Sequence, residues 1–296
     1  MTRAVRIYLA LLATLVAGWL LLRADALSEA VARTELAVLT AVTALYMASH
    51  LFRMLRLALL SLEERDQAFE LAAAHALTAF PSSFLPFKAG ELLRLAALAF
   101  VYRRKRKALA LWAAERFGDI AVLSTVILGM YLFDVNVPDT MRTVFVLFLV
   151  VGLAALFVLF AVAKTFVYLN RHLVLVSHSR HGLQLLRISH AVRQMEMDIY
   201  RCLDGRITAF LLLSALIWLL EIGALALFIR VIDGMNNGVA SGDEAFGAIF
   251  ASGLLASLPG KDLSEFGLYQ SLALVLLTVI FAGAVILASR LKSMKG

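Results

Sequence analysis

Hydrophobic residues run through this sequence in long blocks broken by short charged segments. Residues 7–22, 36–52, 143–163 and 266–289 contain no Asp, Glu, Lys or Arg. Crossing a hydrocarbon core of about 30 Å takes roughly 20 helical residues. The last two runs meet that length, and the first two extend when flanking Arg side chains snorkel to the interface. Membrane β-strands read as alternating segments of about ten residues, which these runs are not. The pattern predicts an all-α, polytopic bundle with about six full spans, adding 108–133 and 207–229 to the four runs. Residues 1–296 form one integral membrane domain. The apolar stretch after Arg3 and Arg6 is read as a retained span, because 23–35 offers no small-residue cleavage site.

Charge orients these spans. Basic residues favour the cytoplasmic side. Arg3 and Arg6 therefore put the N-terminus inside, and Arg53 with Arg56 marks the return of the second span. The run Arg103-Arg104-Lys105-Arg106-Lys107 is also inside, as an anchor to anionic headgroups, and Arg290, Lys292 and Lys295 place the C-terminus inside. Asp134 and Asp139 lie in an outer loop.

Two segments break the alternation. Residues 67–102 begin and end inside, and turn at Phe80-Pro81-Ser82-Ser83-Phe84-Leu85-Pro86, where two prolines oppose helix continuation. The entering limb rises about 21 Å, past the bilayer middle but not across it. This predicts a re-entrant hairpin. Residues 245–266 break at Leu258-Pro259-Gly260-Lys261 and predict a second hairpin from the opposite side. Both breaks carry Leu-Pro-x-Lys followed by Glu. Paired interruptions of this kind point to an inverted repeat and its binding site, with a first half over 1–170 and a second over 205–296. Between them, 178–204 spaces Leu185, Ile188, Val192, Met195, Ile199 and Cys202 as an amphipathic helix. It either lies on the inner membrane surface or packs as a cytoplasmic connector.

Composition confirms the class. Hydrophobic residues make up 62% and charged residues 17%, whereas a soluble domain is about a quarter charged. Mean hydropathy is +0.87. The net charge of +7 is read as membrane topology, not as a nucleic-acid site. A single cysteine, Cys202, excludes an internal disulfide and a cysteine-built zinc site. The histidines show no metal-ligand spacing, and neither a metal nor a cofactor is expected. His75, in the first hairpin limb, reads as a packed histidine in preference to a proton relay.

Ionisable groups at membrane depth are costly and mark function. Lys88, Glu91 and Arg94 follow the first break. Glu115, Arg116 and Asp119 sit in the 108–133 span, with Glu115 and Asp119 on one face. Glu221 lies alone in 207–229. Lys261, Asp262 and Glu265 follow the second break. A broken helix also exposes backbone N–H groups that attract anions, and Arg holds phosphate through paired hydrogen bonds. The expected substrate-binding set is Lys88, Glu91, Arg94, Glu115, Arg116, Asp119, Glu221, Lys261 and Glu265, suited to an anionic headgroup. The competing reading is mutual neutralisation, such as Glu91 with Arg116 or Asp119 with Arg94.

The stretch Leu85-Pro86-Phe87-Lys88-Ala89-Gly90-Glu91-Leu92-Leu93-Arg94, followed by Ala114-Glu115-Arg116-Phe117-Gly118-Asp119, resembles the lysylphosphatidylglycerol synthase transmembrane family. That family commonly carries Pro-x-x-(Ala/Gly)-Gly-Glu-x-x-Arg and then Glu-Arg-x-x-Asp. Trp218-Leu219-Leu220-Glu221 and Leu258-Pro259-Gly260 are similar in order and spacing. The late motif departs from the family, since Asp262-Leu263-Ser264 intervenes before Glu265. The resemblance implies a flippase-like fold with two re-entrant elements that moves lipids between leaflets of a bacterial inner membrane. It also implies that aminoacyl transfer belongs to a separate soluble domain, absent from these 296 residues, so the chain is expected not to be an enzyme. The expected partners are membrane lipids, a separate lipid-modifying enzyme and further copies of the chain. Two alternatives remain open: a non-catalytic partner in a lipid-modifying complex, and a membrane-embedded lipid-modifying enzyme.

Overall fold

The computed structural model describes residues 3–33, 36–85, 89–102, 105–133, 139–157, 180–236 and 264–295, with isolated positions 165, 168, 171 and 172. Among them the chain is all-α. The helices are α1 (Arg3–Arg33), α2 (Leu36–Leu60), α3 (Ala68–Phe84), α4 (Ala89–Val101), α5 (Lys105–Leu132), α6 (Asp139–Phe157), α7 (Arg180–Leu203), α8 (Ile207–Asn236) and α9 (Ser264–Lys295). A short 3-10 turn, Leu62–Gln67, links α2 to α3.

Among the described residues four helices are long and apolar enough to cross a membrane: Arg3–Ala32, Leu36–Leu60, Ile207–Phe228 and Phe266–Leu291. Two other expected spans differ. At 28 residues α5 has the length, but it carries Glu115, Arg116 and Asp119 in its middle. The described apolar part of α6, Phe145–Ala154, is shorter than a span. Many large apolar side chains on the long helices point outward, among them Leu21, Leu22, Leu212, Leu219 and Ile280. That is the pattern of helices solvated by lipid.

Between the helices lie apolar contacts that hold the charged positions in place. Leu39 and Val42 of α2 meet Ala224, Leu225 and Phe228 of α8, with Phe266 and Tyr269 of α9 closing the group. Leu12, Val16 and Trp19 of α1 pack on Leu77 and Phe80 of α3 and on α9. At the other end Leu57, Leu98, Leu111, Ile199 and Phe210 join α2, α4, α5, α7 and α8. The connector α7 is thus a packed element over its C-terminal half, with Ile199 and Leu203 buried, while Leu183 and Ile188 remain exposed. Arg106 bonds Asp198 at 2.7 Å and also Gln194, and Lys107 pairs with Glu64. These two basic residues therefore tie α5 to α7 and to the 3-10 turn; Arg103 and Arg104 of the same run lie outside the described residues. Burial pushes the Cys202 thiol up to about 11, so it stays protonated and acts as a packing residue.

The 67–102 segment folds as two helices packed side by side. Pro81 sits inside α3, which runs on to Phe84, so Pro81 does not end the helix as its sequence suggests. The two limbs touch where Ser82 Oγ donates to the carbonyl of Gly90 at 3.1 Å. A Cβ at Gly90 would lie 2.6 Å from Ser82 Cβ and 2.7 Å from its carbonyl oxygen. Only glycine allows this approach. Gly90→Ala is expected to force the limbs apart and cost about 1–3 kcal/mol, seen as a lower thermal midpoint of the purified protein in detergent.

Candidate functional site

Four helices bring their charges to one place, and helical spacing decides which. Residues three or four apart share a face. On α2 these are Arg53 and Arg56, on α4 Glu91 and Arg94, and on α5 Asp119 with both Glu115 and Arg116; α8 adds Glu221 and, two turns earlier, the uncharged Ser214. Gly118 allows α8 to come close to α5, because a side chain there would meet Phe210 at 2.5 Å and Ser214 Oγ at 2.6 Å.

The charges form one connected network. Arg53 holds Glu221 at 2.7 Å and faces Asp119 at 3.8 Å. Ser49 Oγ adds a bond to Glu221 at 3.1 Å. Arg56 bridges Asp119 at 2.8 Å and Glu115 at 3.5 Å, and donates to Ser214 Oγ at 2.9 Å. One Nη of Arg94 reaches both oxygens of Glu115, at 2.7 and 2.8 Å. Arg116 lies 3.3 Å from Asp119 and 3.4 Å from Glu91. Trp112 Nε1 donates to the same Glu91 at 3.0 Å. The Arg53 guanidinium also stands 5.8 Å from the Trp218 ring, and Arg56 stands 5.8 Å from the Phe210 ring, in cation–π range.

Counting the described members gives four guanidiniums, Arg53, Arg56, Arg94 and Arg116, against four carboxylates, Glu91, Glu115, Asp119 and Glu221. The charges of the described members balance. The network is closed at one side and accessible at the other: the Arg56 and Glu115 side chains are 0% exposed, whereas those of Arg116 and Glu91 are 29% and 31% exposed. Arg94 Nε and Arg116 Nε are buried donors with no hydrogen-bond partner among the described residues.

Six of the nine expected site residues therefore meet: Glu91, Arg94, Glu115, Arg116, Asp119 and Glu221. The pair Glu91–Arg116 forms as the neutralisation reading has it, but Arg94 turns to Glu115 and leaves Asp119 to Arg56. Lys88 and Lys261 lie outside the described residues. Glu265 is in the first turn of α9, and its side chain is not described. The reading of Arg53 and Arg56 as residues that follow the second span on the inner side is corrected: α2 continues through them to Leu60, and both are buried in the network.

A second feature lies on the opposite face of the α3–α4 pair. There a largely apolar cavity of about 700 Å³ runs between α1, α3, α4 and α9, lined by residues such as Tyr8, Ala74, Leu77, Leu93 and Phe100, with Glu70 as its one charged lining residue among those described. On α4, Glu91 and Arg94 turn toward α5 while Leu93 and Ala97 line the cavity. One short helix separates the two.

These features define a helical membrane protein with a buried, charge-paired centre beside an apolar cavity. The chain belongs to the lysylphosphatidylglycerol synthase TM region family, whose model matches residues 7–293. No curated protein and no solved structure matches the chain.

The network makes a stability prediction. Removing one partner of a buried ion pair strands the other charge, at about 3–5 kcal/mol. Arg56→Met should destabilise the protein by up to that order, because Asp119 and Glu115 each lose one partner while keeping Arg116 and Arg94 respectively. Pairing it with Asp119→Asn should recover part of the loss. Denaturant or thermal unfolding in detergent, run as a double-mutant cycle, checks both.

Proposed function

We propose that this protein is a lipid transporter that moves an amphiphilic lipid with an anionic headgroup between leaflets. Phospholipids, hopanoids and polyprenyl-linked lipids fall in this class. The observation that carries the reading is the position of the α3–α4 pair, with a polar network on one face and an apolar cavity on the other. An amphiphile needs both environments. Its headgroup would exchange into the accessible corner at Arg116 and Glu91, with the buried Arg116 Nε and Arg94 Nε just behind it as donors that have no partner among the described residues. Its hydrocarbon chain would be housed by the cavity, whose volume falls in the range of about 300–1,000 Å³ typical of small-molecule sites.

Under this reading α3 and α4 are the two limbs of a re-entrant hairpin. Their lengths of 17 and 13 residues correspond to about 26 and 20 Å, short of the roughly 30 Å hydrocarbon core. The second hairpin at 245–266 and the inverted-repeat relation complete the proposed architecture, and that segment lies almost wholly outside the described residues. Both termini would face the cytoplasm in a bacterial inner membrane. A separate enzyme would modify the lipid, and self-association is compatible with the exposed apolar helices. Each carboxylate of the network faces a guanidinium, which suits positioning better than acid–base chemistry. This supports a non-enzymatic role.

Arg116 is the residue for a functional test, because its partial exposure makes it the mildest to change. Arg116→Gln should abolish movement of a fluorescent anionic phospholipid across proteoliposome bilayers, while the purified variant keeps its yield and thermal midpoint. Wild-type translocation by that variant would remove the headgroup site from the proposal. Covalent change of the lipid, seen by mass spectrometry, would instead establish an enzyme.

A further inference from the structure

Next to the network lies a group of titratable side chains that the ion pairs do not use. His50 of α2 and His75 of α3 are 9% and 3% exposed. Their rings meet with His50 Nδ1 3.1 Å from His75 Nε2. The outward nitrogens, His50 Nε2 and His75 Nδ1, are buried and have no hydrogen-bond partner among the described residues. Contact at 3.1 Å between two imidazole nitrogens requires one proton between them. Two neutral rings satisfy this in either of two tautomeric arrangements, so a proton added at one outer nitrogen can be balanced by one released at the other.

The surroundings of the pair are mostly cationic. His50 is one helical turn from Arg53 on α2. Arg53 and Arg94 act on both rings and Arg56 on His75. Tyr46 of α2 stands with its ring 5.1 Å from that of His50. From α8 comes Glu221, held by Arg53. From α9 comes the uncharged Thr278, which donates to the carbonyl of Ala76. A proton added to the pair would therefore be a further positive charge beside a network whose described charges already balance, and Arg53 and Arg94 would repel it. An anion bound at the guanidiniums reverses that. It brings a negative charge to the four guanidiniums and four carboxylates, and a proton taken up by the histidine pair, which Arg94 links to both Glu91 and Arg116, would supply the balancing positive one.

We propose that His50 and His75 form a proton-binding site coupled to anionic headgroup binding at the network. This rests on the lipid reading above. When the headgroup docks, one proton from water adds to an outer nitrogen. The pair becomes a singly charged cation, and the bridging N–H···N bond is kept. When the headgroup leaves, the proton leaves with it. By reciprocity, a group that strengthens proton binding on docking is itself bound more tightly when the proton is present. Affinity should rise as pH falls, by up to about tenfold per pH unit when one full proton is taken up.

The test uses the full chain in phosphatidylcholine nanodiscs and dihexanoyl-phosphatidylglycerol as the anionic probe. Isothermal titration calorimetry in two buffers of different ionisation enthalpy, at pH 6, 7 and 8, gives the protons taken up per probe bound. Wild type should take up close to one proton at pH 6, with uptake falling as pH rises, and should bind progressively tighter toward pH 6. His50→Gln and His75→Gln should bind with no uptake and with affinity independent of pH. Wild-type binding without proton uptake, or equal uptake in both variants, overturns the coupling but leaves the lipid site standing. No wild-type binding at any pH overturns the lipid site and the coupling together. The wild-type measurement decides alone if a variant does not fold.

Discussion

Everything in this bundle follows from the expense of a bare charge in apolar surroundings. Removing a carboxylate or guanidinium from water costs several kcal/mol even after relaxation. Arg56 and Glu115, with side chains 0% exposed, persist only because each finds opposite charge and a hydrogen bond. Those partners come from different helices. The need to satisfy them fixes how α2, α4, α5 and α8 sit relative to one another. Between helices already in lipid the hydrophobic effect does little, since a lipid tail is as apolar as a leucine. Ion pairs and close packing then carry more of the specification. Gly118 shows the two acting together: its missing side chain lets Ser214 reach Arg56, and the α5–α8 contact and the network become one feature.

The α3–α4 pair translates this constraint into two surfaces. Glu91 and Arg94 are three residues apart and face α5, while Leu93 and Ala97 face the cavity. A 13-residue helix has room for both stripes but is too short to cross a membrane. Its anchoring is unequal. The network side is held by charge-assisted bonds of 2.7–2.8 Å, whereas the cavity side is held by apolar contact with small residues. Under the transport reading, that inequality lets the cavity adapt to a chain without disturbing the polar centre.

How much of this was legible in the sequence depends on the kind of signal. The apolar runs gave α1, α2 and α9, and the added span 207–229 gave α8, because a membrane span is a one-dimensional pattern; the run 143–163 is matched among the described residues only by the shorter apolar stretch Phe145–Ala154. The network residues on α4, α5 and α8 were legible as isolated charges in apolar surroundings. Arg53 and Arg56 were missed because the second apolar run was ended at the first charge. The signal was present beyond them, since Leu57, Leu59 and Leu60 continue the apolar pattern and place both arginines inside the helix. Pro81 misled because an X-Pro step disfavours helix without forbidding it. The ion-pair partners were not legible, since a choice between Glu115 and Asp119 for Arg94 is made by packing. The same holds for His50 and His75, which lie 25 residues apart and meet only because α2 packs on α3.

Balanced charge constrains any ligand in a way that a cluster of like charges would not. A surplus of cations would attract an anion from a distance and hold it. A network of four guanidiniums and four carboxylates offers little net field, so an arriving headgroup must replace an existing pair. Exchange is least costly where desolvation is least complete, and that corner is Arg116 with Glu91, whose contact is 3.4 Å with both side chains about one-third exposed. Deeper pairs such as Arg56–Asp119 at 2.8 Å would have to be stripped without water to replace them. Under the transport reading, exchange at the shallow corner would release Glu91 from Arg116 and leave it to the Trp112 indole N–H, a bond of 3.0 Å already in place. The displaced carboxylate would keep a donor, and the headgroup would meet a guanidinium while the buried centre stayed intact. A lipid held this way would be bound loosely enough to leave, as that reading requires.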